Sequence, residues 1–339
     1  MSIEAREWQL VRRPHGEPVD DDFRQVTVQR PDPQDGEVVV ATIAMSVDPY
    51  MRGRMNATKS YAPSWELGET MQGGAIGRVV DSRSTDVPVG SLVLHGLGWR
   101  DVAVLPAAHV SVVDPLPGLP LSLYLGVLGM PGLTAWAGLF RLAEFRAGDA
   151  VFVSGAAGAV GSLVGQFARL RGASRVVGSA GTPEKVDWLE SIGFDAAFDY
   201  HAGPVTELLA AAAPEGIDVF FDNVGGEHLE AAIAAFRTYG RAALCGSISG
   251  YNATTAPPGP RNLGQIVGKQ LTLRGFIVGD HADLRPEFVS AVSGWLRDGS
   301  LVARETVVEG LDSAVDAFRA LLSGGNIGKM VVRLAPDPS

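Results

Sequence analysis

The stretch VFVSGAAGAVGSLVGQFARLRG, Val151 to Gly172, constrains the fold of this chain more than any other. A short apolar run enters a cluster of Gly and Ala, and an apolar helical pattern leaves it. Strand, tight turn and helix in that order are the context in which a glycine motif carries weight for dinucleotide binding. Gly158 would let the backbone approach a pyrophosphate, and Gly161 would let the helix pack close to the strand. The first turn of the helix would offer free N–H groups and partial positive charge to phosphates. Ala156 stands where the first Gly of G-x-G-x-x-G is expected, and Gly155 just before it gives the turn slack. The competing reading is a tight strand-to-helix turn with no ligand.

The surroundings weigh against that alternative. After LPGLP (116–120), apolar strands alternate with amphipathic helices. The strands are DAVFVSG, SRVVGSA, AAFDY, IDVFFDNVG, GRAALCGS and LTLRGFIV. Between them lie helical patterns, including VGSLVGQFARLRG, PEKVDWLESIG, PVTELLAAAA and EHLEAAIAAFRTYG. This alternation predicts a doubly wound parallel sheet covered on both faces, an α/β Rossmann-type domain over 121–299. In PEKVDWLESIG, Thr182 is placed to N-cap, Pro183 suits the first helical position and Gly193 the left-handed exit. The first third reads instead as short strands between Gly, Pro and Asp, a β-rich, partly closed barrel. The tail from LVARETVVEG onward gives strand, helix and strand and is read as rejoining it. The β-rich domain is therefore expected to be discontinuous, over 1–120 and 300–339.

Composition narrows the partners. Hydrophobic residues make 46% and charged residues 19% of the 339, as in an ordinary globular protein. A net charge of −10 argues against nucleic acid or an anionic membrane as a partner. The single cysteine, Cys245, excludes an internal disulfide and any Cys-rich zinc site, and it suits a reducing, cytoplasmic setting. The N-terminal stretch lacks an apolar h-region, so no signal peptide is expected. No uninterrupted apolar run is long enough to span a membrane. HExxH, paired Cys ligands, a His cluster, Tyr-x-x-x-Lys and GxSxG are all absent. GQIVGKQ and GGNIGKM resemble a P-loop but lack its spacing.

The second strand of the parallel sheet selects the cofactor. An NAD site carries Asp or Glu near the end of this strand, where it binds the ribose 2′-OH. Here the strand ends in Gly178-Ser179-Ala180-Gly181, with no carboxylate. A 2′-phosphate fits that gap better, so NADPH is expected. Lys185 is the nearest cation, and a plain surface lysine is its alternative reading.

SVDPYMRGRM (46–55), SGAAGAVGSLVGQ (154–166), DVFFDNVGGEHLEAAI (218–233), LCGSISGYN (244–252) and NIGKMVV (326–332) together resemble the zinc-independent medium-chain reductases. Within these, the chain is similar to the prostaglandin/leukotriene reductases and the NADPH-dependent alkenal/one double-bond reductases. The resemblance implies a GroES-like β-rich catalytic domain around a Rossmann domain, with the active site in the cleft between them. It also implies reduction of a C=C bond conjugated to a carbonyl, no metal, and a homodimer. Gly158, Ala159, Val160 and Gly161 would lie at the pyrophosphate, with Lys185 and Tyr200 near the adenosine phosphate. Asn223, Cys245, Gly246, Ser247, Ile248 and Ser249 would line the ribose and nicotinamide side. Phe276, Ile277 and Val278 would flank the nicotinamide ring, and Asn326 would reach back from the tail.

The implied chemistry places hydride on the β-carbon of an enal or enone. Negative charge then grows on the carbonyl oxygen, which without a metal needs hydrogen-bond donors in a dry cleft. Tyr251, after CGSIS, is the first candidate donor, shared with a ribose hydroxyl of the cofactor. Tyr50, in VDPYMR, would position the substrate; a hydroxyl capping a turn is its alternative. The proton for the α-carbon could come from water or from Tyr251. The loop NATTAPPGPRN (252–262) is read as either a lid or a solvent loop. An NADPH:quinone oxidoreductase and a non-catalytic NADPH-binding protein remain the rival functions.

Overall fold

The computed structural model describes residues 3–337. The chain divides into two compact units. One runs through Leu125 and takes up Glu305–Asn326 and the residues from Met330 onward. The other comprises Gly126–Arg304 with Ile327–Lys329.

The second unit is built on six parallel strands: β1 (Ala150–Val153), β2 (Arg175–Ala180), β3 (Ala196–Asp199), β4 (Ile217–Asp222), β5 (Phe236–Leu244) and β6 (Thr272–Gly275). Their order in the sheet is β3-β2-β1-β4-β5-β6. The order reverses between β1 and β4, and such a switch point opens a crevice at the carboxyl ends of the strands. All four residues of β1 are buried, because helices cover both faces of the sheet. On one face Phe152 stacks on Phe220 at 5.0 Å, in a core with Val177, Phe198, Leu209 and Ala232. On the other, the Phe194 ring fills the space that side chains at Gly165 and Gly178 would occupy, so helix Gly161–Leu170 can approach the sheet.

One element departs from its sequence pattern. The helix expected through EHLEAAIAAFRTYG stops at Ala235, and Phe236 opens β5. Phe236 is 3% exposed, and its ring takes the space beside Gly240. The register between β4 and β5 shifts there, with Tyr239 at φ 66°.

The first unit carries a mostly antiparallel sheet in which Glu37–Ser46 is central. That strand pairs with Ala75–Ser82, with Val102–Pro106 and with Lys329–Arg333 of the tail. Ile3–Leu10 and Phe23–Arg30 form a separate antiparallel pair. Phe318 and Val315, from the tail helix Ala314–Leu322, share a core with Met45, Met51, Met71, Trp65 and Trp99.

The unit boundaries fall a few residues from the expected 120 and 300. Leu121 and Leu125 pack with Ile43, Ile76 and Val331, which keeps them with the first unit. Gln166 exchanges hydrogen bonds of 3.0 and 2.8 Å with the Val302 backbone, which keeps that stretch with the second.

Candidate functional site

The glycine loop resolves the missing first glycine. Gly155, not Ala156, takes the left-handed turn, at φ 57°. Ala156 is fully buried, and its N–H donates to the Ser179 carbonyl at 2.9 Å. The working spacing is therefore Gly155, Gly158, Gly161. A Cβ on Gly161 would lie 2.5 Å from the Gly155 oxygen and 2.8 Å from the Ala156 Cα, so no larger residue fits. At Gly158 the nearest atom would be 3.3 Å away, and Gly158, Ala159 and Val160 are all partly exposed. Helix Gly161–Leu170 starts immediately beyond, with no side-chain cap on its first N–H groups. An uncapped helix N-terminus behind a loop without bulky side chains fits a pyrophosphate.

The tail closes over this loop. The Gly328 N–H donates to the Ala157 carbonyl at 2.8 Å, and Gly328 bridges to Gly158. Gly328 has φ 70°, and a Cβ there would collide with the Arg304 carbonyl. Asn326, two residues earlier, is 8% exposed.

At the end of β2, Tyr200 lies against Gly181: a Cβ on Gly181 would be 3.1 Å from its ring. Tyr200 packs on His201 with centroids 4.1 Å apart, and His201 Nδ1 lies 3.2 Å from the Gly181 carbonyl. Thr182 caps the following helix by accepting from the Lys185 N–H at 3.3 Å. Lys185 is half-buried, and desolvation lowers its pKa against a smaller opposing effect of Glu184. The Glu184 carboxylate is itself 3.6 Å from the Arg304 guanidinium, which lies over the Trp188 ring. The one acidic side chain beside Lys185 in sequence is thus partly offset, which fits a phosphate here.

On the β4 side, the turn Asp222-Asn223-Val224-Gly225 stands between the glycine loop and the 245–251 loop. Asn223 Nδ2 donates to the Ser154 carbonyl at 2.8 Å. The Ile248 N–H donates to the Asn223 carbonyl at 3.2 Å, and Ser249 donates to the Val224 carbonyl through both its N–H and its Oγ. Ser247 is exposed and packs by its Cβ against Gly225, where a Cβ would be 3.1 Å away. Tyr251 turns back over Gly246, its hydroxyl 3.2 Å from where a Gly246 Cβ would be. Burial and, secondarily, the charge of Asp222 push the Cys245 thiol up to about 12, so it stays protonated and inert. Phe276 packs its ring on Phe221 at 6.4 Å and against Gly138. Ile277 is 40% exposed, and Val278 opens the short helix that follows.

Tyr50 belongs to the first unit and opens the short helix Met51–Arg54. Desolvation, reinforced by Asp48, raises its pKa to about 12, against the opposing charge of Arg54, which also donates a hydrogen bond to the phenol. It is a neutral donor at any ordinary pH. In the 252–262 loop, residues 253–259 are exposed, but Arg261 clamps the far end to Glu230 with a 2.9 Å ion pair.

Sequence reasoning does not single out Ser154, Asp222, Glu230 or Gly328. All four lie in stretches that carry the family resemblance, and their roles depend on contacts between distant segments. GGNIGKM, which fails as a P-loop, supplies Gly328, which docks on the glycine loop. Among the described residues, no three His, Cys, Asp or Glu side chains come together as a metal site.

Two family patterns match the chain. One, the N-terminal domain of oxidoreductases, covers residues 6–113, and one described as zinc-binding dehydrogenase covers residues 159–293. The NADPH-dependent curcumin reductase of Escherichia coli is 40% identical, over 98% of this chain and 97% of its own length. Prostaglandin reductase 1 of Bos taurus is 41% identical, over 98% and 99%. The crystal structure of CurA from Vibrio vulnificus in complex with NADPH superposes with a TM-score of 0.92 at 39% identity, over 98% of this chain and all of that one.

Proposed function

We propose that this chain, which belongs to the zinc-independent medium-chain dehydrogenase/reductase family, is an NADPH-dependent reductase of the C=C bond in α,β-unsaturated aldehydes and ketones. The observation that carries the reading is the carboxylate-free end of β2, with Tyr200 and Lys185 beside Gly181-Thr182, in a chain similar to an NADPH-dependent curcumin reductase and to CurA in complex with NADPH.

Gly158 to Gly161 and the helix they open would hold the pyrophosphate, and Asn223 with residues 245–249 would line the nicotinamide ribose. NADPH, when bound, supplies the hydride that adds to the β-carbon. Negative charge then collects on the carbonyl oxygen of the substrate. Tyr251, whose phenol lies over Gly246, is the proposed donor to that oxygen. Tyr50 is the proposed substrate-positioning donor; its raised pKa keeps the proton on the phenol. Phe276 to Val278 are proposed to flank the nicotinamide ring, and Asn326 to contact the cofactor from the tail.

We also place the protein in the cytoplasm as a homodimer. The end strand β6 exposes Thr272, Arg274 and Gly275, and nearby Val267 is 81% exposed. An open strand edge is a template for pairing.

Purified protein assayed with 2-alkenals, enones and quinones, each with NADPH and NADH, tests the reading. Enals and enones should be reduced at the double bond with NADPH preferred. NADH preference, or NADPH oxidation without any unsaturated carbonyl, defeats it. Turnover of quinones with inert enals selects the quinone reductase instead, and tight NADPH binding without turnover selects a non-catalytic role.

A further inference from the structure

A buried polar row crosses the carboxyl edge of the sheet under the proposed cofactor loops. Asp222, at the end of β4, is 1% exposed. Its Oδ1 accepts three hydrogen bonds: from Ser154 Oγ at 2.8 Å, from the Val224 N–H at 3.0 Å and from the Gly225 N–H at 2.9 Å. Its backbone carbonyl accepts from the Cys245 N–H at 2.9 Å and the Gly246 N–H at 3.1 Å. Ser154, fully buried, passes the connection on: its Oγ accepts from the Asn223 N–H at 2.9 Å, and its carbonyl accepts from Asn223 Nδ2.

The Asp222 carboxylate and the Ser154 hydroxyl therefore tie the glycine loop to the 223–225 turn, and that turn holds the loop carrying Tyr251 through the backbone carbonyls of Asp222, Asn223 and Val224. Gly225 and Gly226 both take positive φ, 73° and 53°, and the N–H groups of Val224 and Gly225 in this turn point to the Asp222 Oδ1. Burial raises the Asp222 pKa, and the donors at Gly225, Ser154 and Val224 oppose that shift. A buried acceptor that satisfies several donors is costly to remove, because each donor is left unpaired.

We infer that Asp222, acting with Ser154, is the positioning residue of the cofactor site: it touches no substrate, and its carboxylate fixes the 223–225 turn from which the nicotinamide-side loop hangs, in register with the pyrophosphate loop. This rests on the NADPH-dependent reading above. Asp222→Asn keeps an oxygen acceptor in place, Asp222→Ala removes it, and Ser154→Ala removes the hydroxyl that joins Asp222 to the Asn223 N–H, leaving only the backbone link to Asn223 Nδ2.

The test measures the NADPH Kd by quenching of tryptophan fluorescence with no enal present, together with separate KM values for NADPH and a 2-alkenal, and melting by circular dichroism. Ser154→Ala and Asp222→Ala should weaken NADPH binding roughly tenfold or more, as loss of a charge-assisted hydrogen bond predicts. The 2-alkenal KM at saturating NADPH should move by less than about twofold, and Asp222→Asn should recover most of the lost affinity, since the acceptor is what matters. A merely structural role would lower melting and active fraction while the folded protein kept the wild-type Kd. That result overturns the inference, and so does an Asp222→Asn variant that binds NADPH no better than Asp222→Ala. If Asp222→Ala does not fold, Ser154→Ala and Asp222→Asn decide: wild-type Kd in Ser154→Ala overturns it. Wild-type protein that binds no NADPH defeats the functional reading instead.

Discussion

Tyr251 is the residue on which the proposed chemistry depends most directly. Its phenol lies over Gly246, on a loop tied to the Asn223 turn. Removing one donor to a developing oxyanion lowers kcat by about 100-fold or more. Tyr251→Phe should therefore lose most of kcat while the NADPH Kd stays near wild type; steady-state kinetics with a 2-alkenal and fluorescence titration check both parts. Two buried histidines make stability depend on pH on the acid side. Desolvation lowers His95 and His228 from the usual 6.5 to about 4, and the Arg100 charge adds to the effect at His95. Their folded pKa lies below the unfolded one, so the unfolded chain binds more protons. The stability they contribute is complete above pH 6.5 and is lost as pH falls toward 4, by up to about 3 kcal/mol each. Denaturant unfolding between pH 7 and 4 should show this slope, and His228→Gln should flatten part of it; an unchanged slope refutes the assignment. Neither histidine is marked by its sequence neighbours, because burial is a property of the packed chain.

The glycine loop, as an element, is held from two directions: by its own helix and by the returning tail. Gly328 has left-handed backbone and no space for a side chain beside the Arg304 carbonyl. Gly328→Ala should free the tail from Ala157 and raise the NADPH Kd, with a stability loss of about 1–3 kcal/mol from the strained position. Titration and thermal melting read the two effects separately, and a wild-type Kd in this variant would refute the role of the tail. The loop shows what local pattern can and cannot reveal. The strand, the turn and the helix are legible in Val151 to Gly172, since apolar periodicity and glycines are local signals. Gly155 as the turning residue is not, because φ is fixed by what the turn must reach. The Phe236 strand is hidden for a similar reason: its stretch reads as helix until the core on β4 claims the ring.

At the scale of the whole molecule, the end strand β6 and the exposed Val267 beside it lead to a prediction about assembly. Sedimentation should give a mass of two chains of 35.6 kDa, and Val267→Asp should shift the balance toward one; a monomeric wild type refutes the homodimer. The sequence by itself determined the fold class, the order of strands and helices, the site of the glycine loop and the absence of a carboxylate at the end of β2. Each of these is written in residues close together along the chain, where periodicity, turn chemistry and residue type act locally. The tertiary structure alone decided that Ser154, Asp222 and Asn223 form one network, that Gly328 seats its stretch of the tail on the glycine loop, and that Leu121, Leu125 and Val302 set the unit boundaries. Those outcomes depend on which distant segments the packed core brings within hydrogen-bond reach, and no local pattern encodes that distance.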